Sequence, residues 1–257
     1  MNRKSFTIPN RRDMELHAIH YLSEKESLFP KKEISCLVIF CHGFTGDKYE
    51  WGRFTKTAEK LSEIGIDSLL FDFSGSGENE REYVTLTKQC HDLKDVYNWA
   101  INKNYIRIGF IGLSFGGLTV LGTDIPDIKT IIFWAPAFSI RKLFNPKVQE
   151  SLKKTDLKLP SSGGQEPIMI NHSFIEDLSN YDVDELVKKF SLPTLIIQGT
   201  RDRSVRLEDT RRFFKQMPQD DKHKLIEVPK ATHNFDGEQL DQFIAETISW
   251  LKEYLCD

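Results

Sequence analysis

A serine stands between two glycines where an apolar run gives way to a helical pattern. The segment is Gly112-Leu-Ser-Phe-Gly116, so Ser114 is the serine of a G-x-S-x-G motif. The apolar run Arg107–Ile111 before it predicts a strand, and an apolar helical pattern follows it. When a strand is followed by a sharp turn and a helix, a serine in that turn, called the nucleophile elbow, has its hydroxyl exposed at the end of the sheet. Gly112 and Gly116 leave the room that the crowded backbones need there. Ser114 is therefore the predicted nucleophile.

Two other roles also suit a serine that precedes a helix. Serine is a favoured helix N-cap, and the motif alone does not separate a cap from a nucleophile. A phosphate-binding loop is the second alternative. No lysine follows the glycines, however, and the segment contains no G-x-G-x-x-G, which excludes dinucleotide binding at this turn.

A serine hydroxyl is a poor nucleophile near neutral pH, so a base must take its proton. His233 is the best candidate, because it lies in a loop between the apolar run Lys224–Val228 and the last helical pattern. Apart from His42, the other histidines lie where a solvated or structural role is expected. Asp202 directly follows the apolar run Thr194–Gln198 and is the predicted carboxylate that orients the imidazole. Its alternative role is an aspartate that bonds its own turn.

The three candidate residues share an order and a position. Ser114, Asp202 and His233 each come after a predicted strand, and the carboxyl ends of parallel strands meet at the edge of a sheet where ligands bind. Their chain order of nucleophile, acid and base differs from that of two other well-known serine triads. Together they predict a Ser-His-Asp triad. One oxyanion donor is then the backbone amide of Phe115, the residue after the nucleophile.

The elements that must position these residues alternate between strands and helices. Strands are predicted at Lys4–Pro9, Glu15–Tyr21, Ser35–His42, Ile66–Asp72, Arg107–Gly112, Lys129–Ala135, Thr194–Gly199 and Lys224–Val228. Helices are predicted at Tyr49–Ile64, Thr85–Lys103, Leu207–Met217 and Gln239–Tyr254, and another begins near Ser114. This alternation predicts an α/β protein with a mostly parallel, doubly wound sheet and an antiparallel hairpin at its N-terminal edge.

One stretch, residues 141–190, breaks the alternation. It contains a Pro-Ser-Ser-Gly-Gly segment and a mixed pattern of charged and apolar residues. A structureless loop of this length is unusual in a compact domain. We therefore predict an inserted cap or lid of short helices at residues 141–190, and a core domain made of residues 1–140 and 191–257.

Composition and charge restrict the class of protein. The chain has 257 residues, of which 39% are hydrophobic and 28% charged, and its net charge of −3 predicts no nucleic-acid partner. The longest apolar runs, such as Cys36–Cys41, are far shorter than the roughly 20 residues that cross a bilayer. The basic N-terminus has no apolar core after it, and the four cysteines lack CxxC spacing. We predict a cytoplasmic protein with reduced thiols, no metal and no cofactor; its oligomeric state is left open.

Further motifs give the chain a resemblance to a known family. The segment His42-Gly-Phe-Thr-Gly46 follows one predicted strand, and Asp72-Phe-Ser-Gly-Ser-Gly77 follows the next. A late Thr-His-Asn-Phe segment contains His233. With the elbow at Ser114, these motifs resemble the α/β-hydrolase superfamily over essentially the whole chain. Within it, the chain is most similar to the small carboxylesterases that include cinnamoyl and feruloyl esterases, which carry a modest cap.

The resemblance implies further site residues. The backbone amide of Phe44 is the implied second oxyanion donor. His42 is the implied structural histidine that holds this loop, with Gly43 beside it. Glu78 stands where the family has a small residue, so we expect the rim of the pocket to differ here.

Several functions suit these residues. The first is hydrolysis of small carboxylic esters, with short, medium or aromatic acyl groups, through an acyl-enzyme. The second is a monoacylglycerol lipase or lysophospholipase, against which the many charges of residues 141–190 argue. An exopeptidase is expected to show an acidic pair for a free α-amine, and none can be singled out. A non-catalytic binding protein on this fold is expected to lack a triad member. Ester hydrolysis is therefore the predicted function.

Overall fold

Apolar runs of the sequence form the strands of one large sheet. We describe residues 2–23 and 36–256 in a computed structural model of the protein. The strands are β1 Asn2–Pro9, β2 Glu15–Leu22, β3 Cys36–Cys41, β4 Asp67–Phe71, β5 Arg107–Leu113, β6 Ile128–Trp134, β7 Leu157–Leu159, β8 Ile168–Ile170, β9 Thr194–Gly199 and β10 His223–Val228. The α-helices are α1 Arg53–Glu63, α2 Leu86–Asn102, α3 Phe115–Gly122, α4 Pro146–Leu152, α5 His172–Leu178, α6 Val183–Lys188, α7 Leu207–Phe214 and α8 Gly237–Tyr254.

Eight of these strands form the sheet, in the order β1-β2-β4-β3-β5-β6-β9-β10. Strand β2 pairs antiparallel with both β1 and β4, and the remaining neighbours are parallel. The central strands are buried on both faces, which explains why β3 is a continuous apolar run rather than an alternating one. The predicted parallel sheet with an N-terminal hairpin is confirmed. Ser35, the predicted first residue of β3, lies outside the described residues.

Helices cover both faces of the sheet, and each face has its own hydrophobic cluster. On one face, Trp134 packs against Phe54 of α1 and Phe243 of α8. On the other face, Phe115 of α3 packs against Phe174 of α5. Because both clusters are closely packed, the strands that end at the carboxyl edge of the sheet form a rigid support for the loops that follow them. Among residues 2–23 and 36–256, no helix is both long and apolar enough to cross a bilayer.

The first helix begins later than its periodicity predicts. Glu50, Trp51 and Gly52 have φ values of 47°, 54° and 84°, and they form a distorted 3₁₀ turn before α1 starts at Arg53. The predicted start at Tyr49 was therefore wrong. The apolar spacing continues through the turn, but residues with left-handed backbone dihedrals cannot be part of a right-handed α-helix.

Residues 141–190 contain helices α4, α5 and α6 and also the antiparallel hairpin of β7 and β8. The prediction of short helices alone omitted this hairpin. Strand β8 is tied to the core through Val84, whose N–H donates to the carbonyl of Met169 at 3.0 Å. Ile168 and Phe174 are buried in the same cluster as the core. The division into a core and a cap stays a prediction, and we keep the name cap for residues 141–190.

Candidate active site

Ser114 occupies a sharp turn between β5 and α3, with φ 54° and ψ −116°. Few residues other than glycine adopt a positive φ, so this backbone is strained and must be held by its surroundings. The Ser114 N–H donates to the carbonyl of Trp134 at 2.9 Å, and its own carbonyl accepts from Ala137 N at 2.8 Å. The side chain is half-buried. The turn therefore presents the hydroxyl at the carboxyl edge of the sheet in one fixed orientation.

The two glycines of the motif are required by close backbone contacts. A Cβ on Gly116 would lie 2.1 Å from the carbonyl oxygen of Cys41 and 2.5 Å from that of His42. A Cβ on Gly112 would lie 2.7 Å from Cα of Gly117. The crowding expected from the sequence motif is therefore present at both positions.

His233 and Asp202 meet at this same edge. The Nδ1 of His233 lies 2.7 Å from Oδ2 of Asp202, whose carboxylate is buried. Asp202 also accepts from the N–H groups of Ser204 and Val205, each at 2.8 Å, and from Nε2 of Gln198 at 3.1 Å. The Asp202 carboxylate thus accepts hydrogen bonds from its own turn and also orients the imidazole of His233. With its proton on Nδ1, the ring keeps Nε2 as an acceptor.

Ser114 and His233 line one pocket, together with Gly43 and Ser204. No hydrogen bond joins the Ser114 hydroxyl to the imidazole within residues 2–23 and 36–256. Catalytic hydrogen bonds are often long before substrate binds. The structure therefore brings the three predicted residues to one pocket, with the base and acid already bonded.

The loop after β3 is held by His42. Nε2 of His42 accepts the Phe73 N–H at 3.0 Å, so Nδ1 carries the proton and donates to the carbonyl of Gly43 at 2.8 Å. In a trans peptide the C=O and N–H point in opposite directions, so the N–H of Phe44 is turned away from His42. This N–H donates to no acceptor within the described residues. The N–H of Phe115, at the start of α3, likewise has no intrahelical partner.

Glu50 and Arg53 join this loop to the His233 loop, and no sequence pattern indicates this role. Oε1 of Glu50 accepts the Gly43 N–H at 2.6 Å, and Oε2 lies 2.7 Å from Nη2 of Arg53. Nη1 of Arg53 donates to the carbonyl of His233 at 3.2 Å. Both side chains are buried, at 4% and 8% exposure. Charged residues at the start of an amphipathic helix look solvated in a sequence, and this contact spans 180 positions.

Two pockets adjoin Ser114. The first, of about 290 Å³, is lined mainly by apolar surface and lacks His233; its residues are Phe44, Ser114, Ala137, Ser139, Ile140, Lys142, Leu143, Arg203, Ser204, Val205, Arg206 and Asp209. The second, of about 240 Å³, contains His233; its residues are Gly43, Phe44, Thr45, Gly46, Glu50, Trp51, Arg53, Leu113, Ser114, Ser162, Ser204, His233 and Asn234. We call them the apolar pocket and the polar pocket.

A family model described as "Serine aminopeptidase, S33" (Hydrolase_4) matches residues 32–187, which is more than half of the chain. The chain belongs to this hydrolase family. A comparison of this chain with curated proteins found none that matches it.

Solved structures similar to this S33-family hydrolase share its whole fold. Est1E from Butyrivibrio proteoclasticus, in a structure with ferulic acid bound, is 24% identical with a TM-score of 0.77, over 98% of this chain and 100% of that chain. The esterase Pf2001 of Pyrococcus furiosus is 20% identical with a TM-score of 0.73, over 99% and 93%. The α/β hydrolase GrgF from Penicillium sp. sh18 is 16% identical with a TM-score of 0.76, over 100% of both chains. These likenesses show the α/β-hydrolase fold.

Glu78 does not shape the pocket rim of this S33-family hydrolase, contrary to the sequence-based expectation. Its carboxylate lies 2.9 Å from the buried Nζ of Lys48, which donates to Asp72 at 2.6 Å. The hydrogen bond from Lys48 holds the pKa of the Glu78 carboxyl below its usual value. Neither pocket at Ser114 includes Glu78 among its lining residues. Glu78 instead completes a charge cluster behind the loop of residues 42–46.

Proposed function

We propose that this hydrolase cleaves carboxylic esters through an acyl-enzyme, with Ser114 as nucleophile, His233 as general base and Asp202 as the orienting acid. The observation that carries the proposal is the strained Ser114 turn in the same pocket as the bonded His233–Asp202 pair. Two proteins of similar fold also support it, one described as an esterase and the other solved with ferulic acid bound.

The site geometry suits a two-step reaction. Nε2 of His233 takes the Ser114 proton as Oγ attacks the ester carbonyl, and Asp202 stabilises the imidazolium. The N–H groups of Phe44 and Phe115 donate to the oxygen of the tetrahedral intermediate; each such donor typically contributes about 3–4 kcal/mol. His233 then protonates the departing alcohol, and water repeats the cycle on the acyl-enzyme.

The position of His233 supports different proposed roles for the two pockets. The imidazole must donate its proton to the leaving oxygen, so the alcohol occupies the polar pocket, which contains His233. The acyl group then occupies the apolar pocket, which does not. A pocket of about 290 Å³ suits a short, medium or aromatic acyl group better than a long lipid chain.

Replacing the nucleophile tests the proposal. We expect Ser114→Ala to lower kcat/KM on p-nitrophenyl butyrate by about 10³-fold or more, and to abolish labelling by a fluorophosphonate probe. Ser249→Ala is the matched control, because Ser249 is an exposed serine of α8 that lines neither pocket. Its kcat/KM should stay within about two-fold of the unmodified protein. Undiminished turnover by purified Ser114→Ala would contradict the proposal.

The family description makes an aminopeptidase the second candidate. Such an enzyme needs a carboxylate that can hold a free α-amine. The carboxylates in the two pockets are already engaged, Glu50 by Arg53 and Asp209 by Lys142. We therefore expect amino-acid p-nitroanilides to be cleaved far more slowly than p-nitrophenyl butyrate. Turnover of the anilides at a comparable rate would reverse this ranking.

A further inference from the structure

Exposed cationic side chains line part of the apolar pocket, and we call this part its mouth. The pocket is also lined by the apolar residues Phe44, Ala137, Ile140 and Val205. Its charged lining residues are Lys142, Arg203, Arg206 and Asp209. Three positive charges therefore face one negative charge, although the whole chain has a net charge of −3.

The ion pairs leave this mouth positive. Lys142 Nζ pairs with Asp209 Oδ1, so these two charges offset each other. Arg206 lies 3.7 Å from Glu208, but both side chains are about 70% exposed and the pair is weak. Arg203 is exposed and has no carboxylate within 4.0 Å in the described part of the chain. Two guanidinium groups thus remain available at the end of an apolar cavity.

We propose that the apolar pocket binds acyl groups with an apolar body and a negatively charged far end, as in monoesters of dicarboxylic acids. This inference rests on the proposed ester hydrolysis. A guanidinium binds a carboxylate through two parallel hydrogen bonds, and the apolar walls take the methylenes between that carboxylate and the ester. The same charges repel a free α-amine, which agrees with ranking aminopeptidase activity below ester hydrolysis.

Two esters with the same adipoyl chain test the charge preference: mono-p-nitrophenyl adipate, whose far end is a carboxylate, and methyl p-nitrophenyl adipate, whose far end is uncharged. Their spontaneous hydrolysis is subtracted. In the double variant Arg203→Gln/Arg206→Gln, we expect kcat/KM for the anionic ester to fall about five-fold, and that for the neutral ester to change less than about two-fold. In the unmodified protein, added NaCl should lower kcat/KM for the anionic ester alone.

The control variant Lys215→Gln/Lys222→Gln removes the same total charge at exposed positions that line neither pocket. This control variant should leave the ratio of the kcat/KM values for the two esters unchanged. Equal losses on both esters in Arg203→Gln/Arg206→Gln, or an equal effect of the control, would overturn the inference. If the neutral ester is cleaved in a Ser114-dependent way, such a result leaves the proposed function intact. Failure to cleave either ester would instead count against the proposed function.

The buried pair of Glu50 and Arg53 carries a second, independent inference. A buried ion pair rarely adds net stability, because both charges lose their hydration. Here the pair also lies at a turn with left-handed backbone at Glu50 and Trp51. Strain of this kind persists where the surrounding structure enforces it, and it is concentrated at functional sites.

We infer that Glu50 and Arg53 are positioning residues. They set the distance between the loop of residues 42–46, which carries the proposed oxyanion donor Phe44, and the proposed base His233. Glu50 holds the N–H of Gly43, next to the Phe44 amide, and Arg53 holds the carbonyl of His233. Their ion pair of 2.7 Å connects the two. The guanidinium also stacks over the ring of Phe235 at 5.1 Å, which fixes its plane. Motion of either loop would change the distance between Nε2 and the oxyanion donors.

Arg53→Lys tests this role, because lysine keeps the charge beside Glu50 but lacks the fork that also reaches His233. We expect kcat on p-nitrophenyl butyrate to fall about ten-fold while KM stays within about two-fold. Lys56→Gln, on the same helix with an exposed partner, is the matched control and should change neither constant. In Arg53→Ala, millimolar guanidinium chloride should restore part of the lost kcat, because Arg53 lines the polar pocket.

A purely structural role predicts a different result. In that case the melting temperature of Arg53→Lys falls, its kcat per folded molecule is unchanged, and guanidinium restores nothing to Arg53→Ala. Either observation, the unchanged kcat or the absent rescue, would overturn the inference.

Discussion

At the residue scale, the imidazole of His233 uses its two nitrogens differently. Nδ1 is fixed by Asp202 at 2.7 Å, which leaves Nε2 as the acceptor for the proposed proton transfer from Ser114. Asp202 in turn is fixed by three donors from its own strand and turn. The orientation of the proposed base is therefore set by a carboxylate that lines neither pocket.

Asp202→Asn tests this division. The amide nitrogen can donate a hydrogen bond to Nδ1, which favours the tautomer with its proton on Nε2 and removes the acceptor that Ser114 needs. We expect kcat for p-nitrophenyl butyrate to fall by about 10⁴-fold, with a melting temperature that shows a folded protein. A loss of less than about ten-fold would mean that another group orients His233.

The four cysteines are all buried, yet their chemistry differs. Burial raises the pKa of the Cys90 thiol to about 11 and raises that of Cys41 well above its usual value. A hydrogen bond with Cys256 lowers the pKa of Cys36. The thiolate is the reactive form, and its fraction grows as pH approaches the pKa from below.

Brief alkylation with iodoacetamide therefore has an expected order. At pH 8 we expect Cys36 to be modified before Cys90, while Cys41 stays intact; modification of Cys90 should become appreciable only as pH rises towards 11. Peptide mapping by mass spectrometry measures each site separately. Equal rates for Cys36 and Cys90 at pH 8 would show that opening of the structure, not ionisation, limits the reaction.

At the scale of elements, the turn from β5 to α3 depends on a glycine against a neighbouring strand. We expect Gly116→Ala to lower the free energy of unfolding by about 3 kcal/mol or more and to abolish esterase activity, since its Cβ would meet the Cys41 carbonyl. Gly164→Ala is the control. Gly164 has φ 76° and no atom near a Cβ, so only backbone strain of about 1 kcal/mol is expected. Thermal unfolding and kcat, measured for both variants, test this expected difference.

The sequence was informative about elements where local pattern and tertiary position agree. Ser114 directly follows the buried strand β5, and Asp202 lies in the turn just after the buried strand β9, so their place at the sheet edge could be predicted from the chain alone. Glu50 could not be predicted in the same way. Its role depends on a left-handed turn inside an apparently helical pattern, and on a histidine loop distant in sequence. Likewise, the hairpin of β7 and β8 has only three residues in each strand, too few for a period to be recognised.

At the scale of the whole molecule, a row of aromatic rings connects the cap to the catalytic loops. Phe174 of α5 is fully buried and contacts Phe44, Phe115 and Phe144, with ring centroids between 5.1 and 5.8 Å apart. Phe44 and Phe115 carry the proposed oxyanion donors. The packing of the cap therefore bears directly on the position of those two amides.

Phe174→Ala should consequently change both stability and substrate binding. We expect the free energy of unfolding to fall by about 3–5 kcal/mol and KM for p-nitrophenyl butyrate to rise about three-fold or more, because Phe44 loses its support. Phe110→Ala is the control. Phe110 is 1% exposed in the middle of β5 and lines neither pocket, so it should lose similar stability without a change in KM. An unchanged KM in Phe174→Ala would show that the cap does not support Phe44.

Strands β6 and β9 are neighbours in the sheet, although residues 135–193 separate them in the chain. The whole cap therefore leaves and rejoins the sheet at adjacent points. The entropy of closing such a loop grows slowly, by about 0.6 kcal/mol for each doubling of its length. Over evolutionary time, the parts of the cap that do not pack against Phe44 and Phe115 can lengthen or shorten at little cost to the strands that precede Ser114, Asp202 and His233. New substrate ranges can then arise without rebuilding the chemistry.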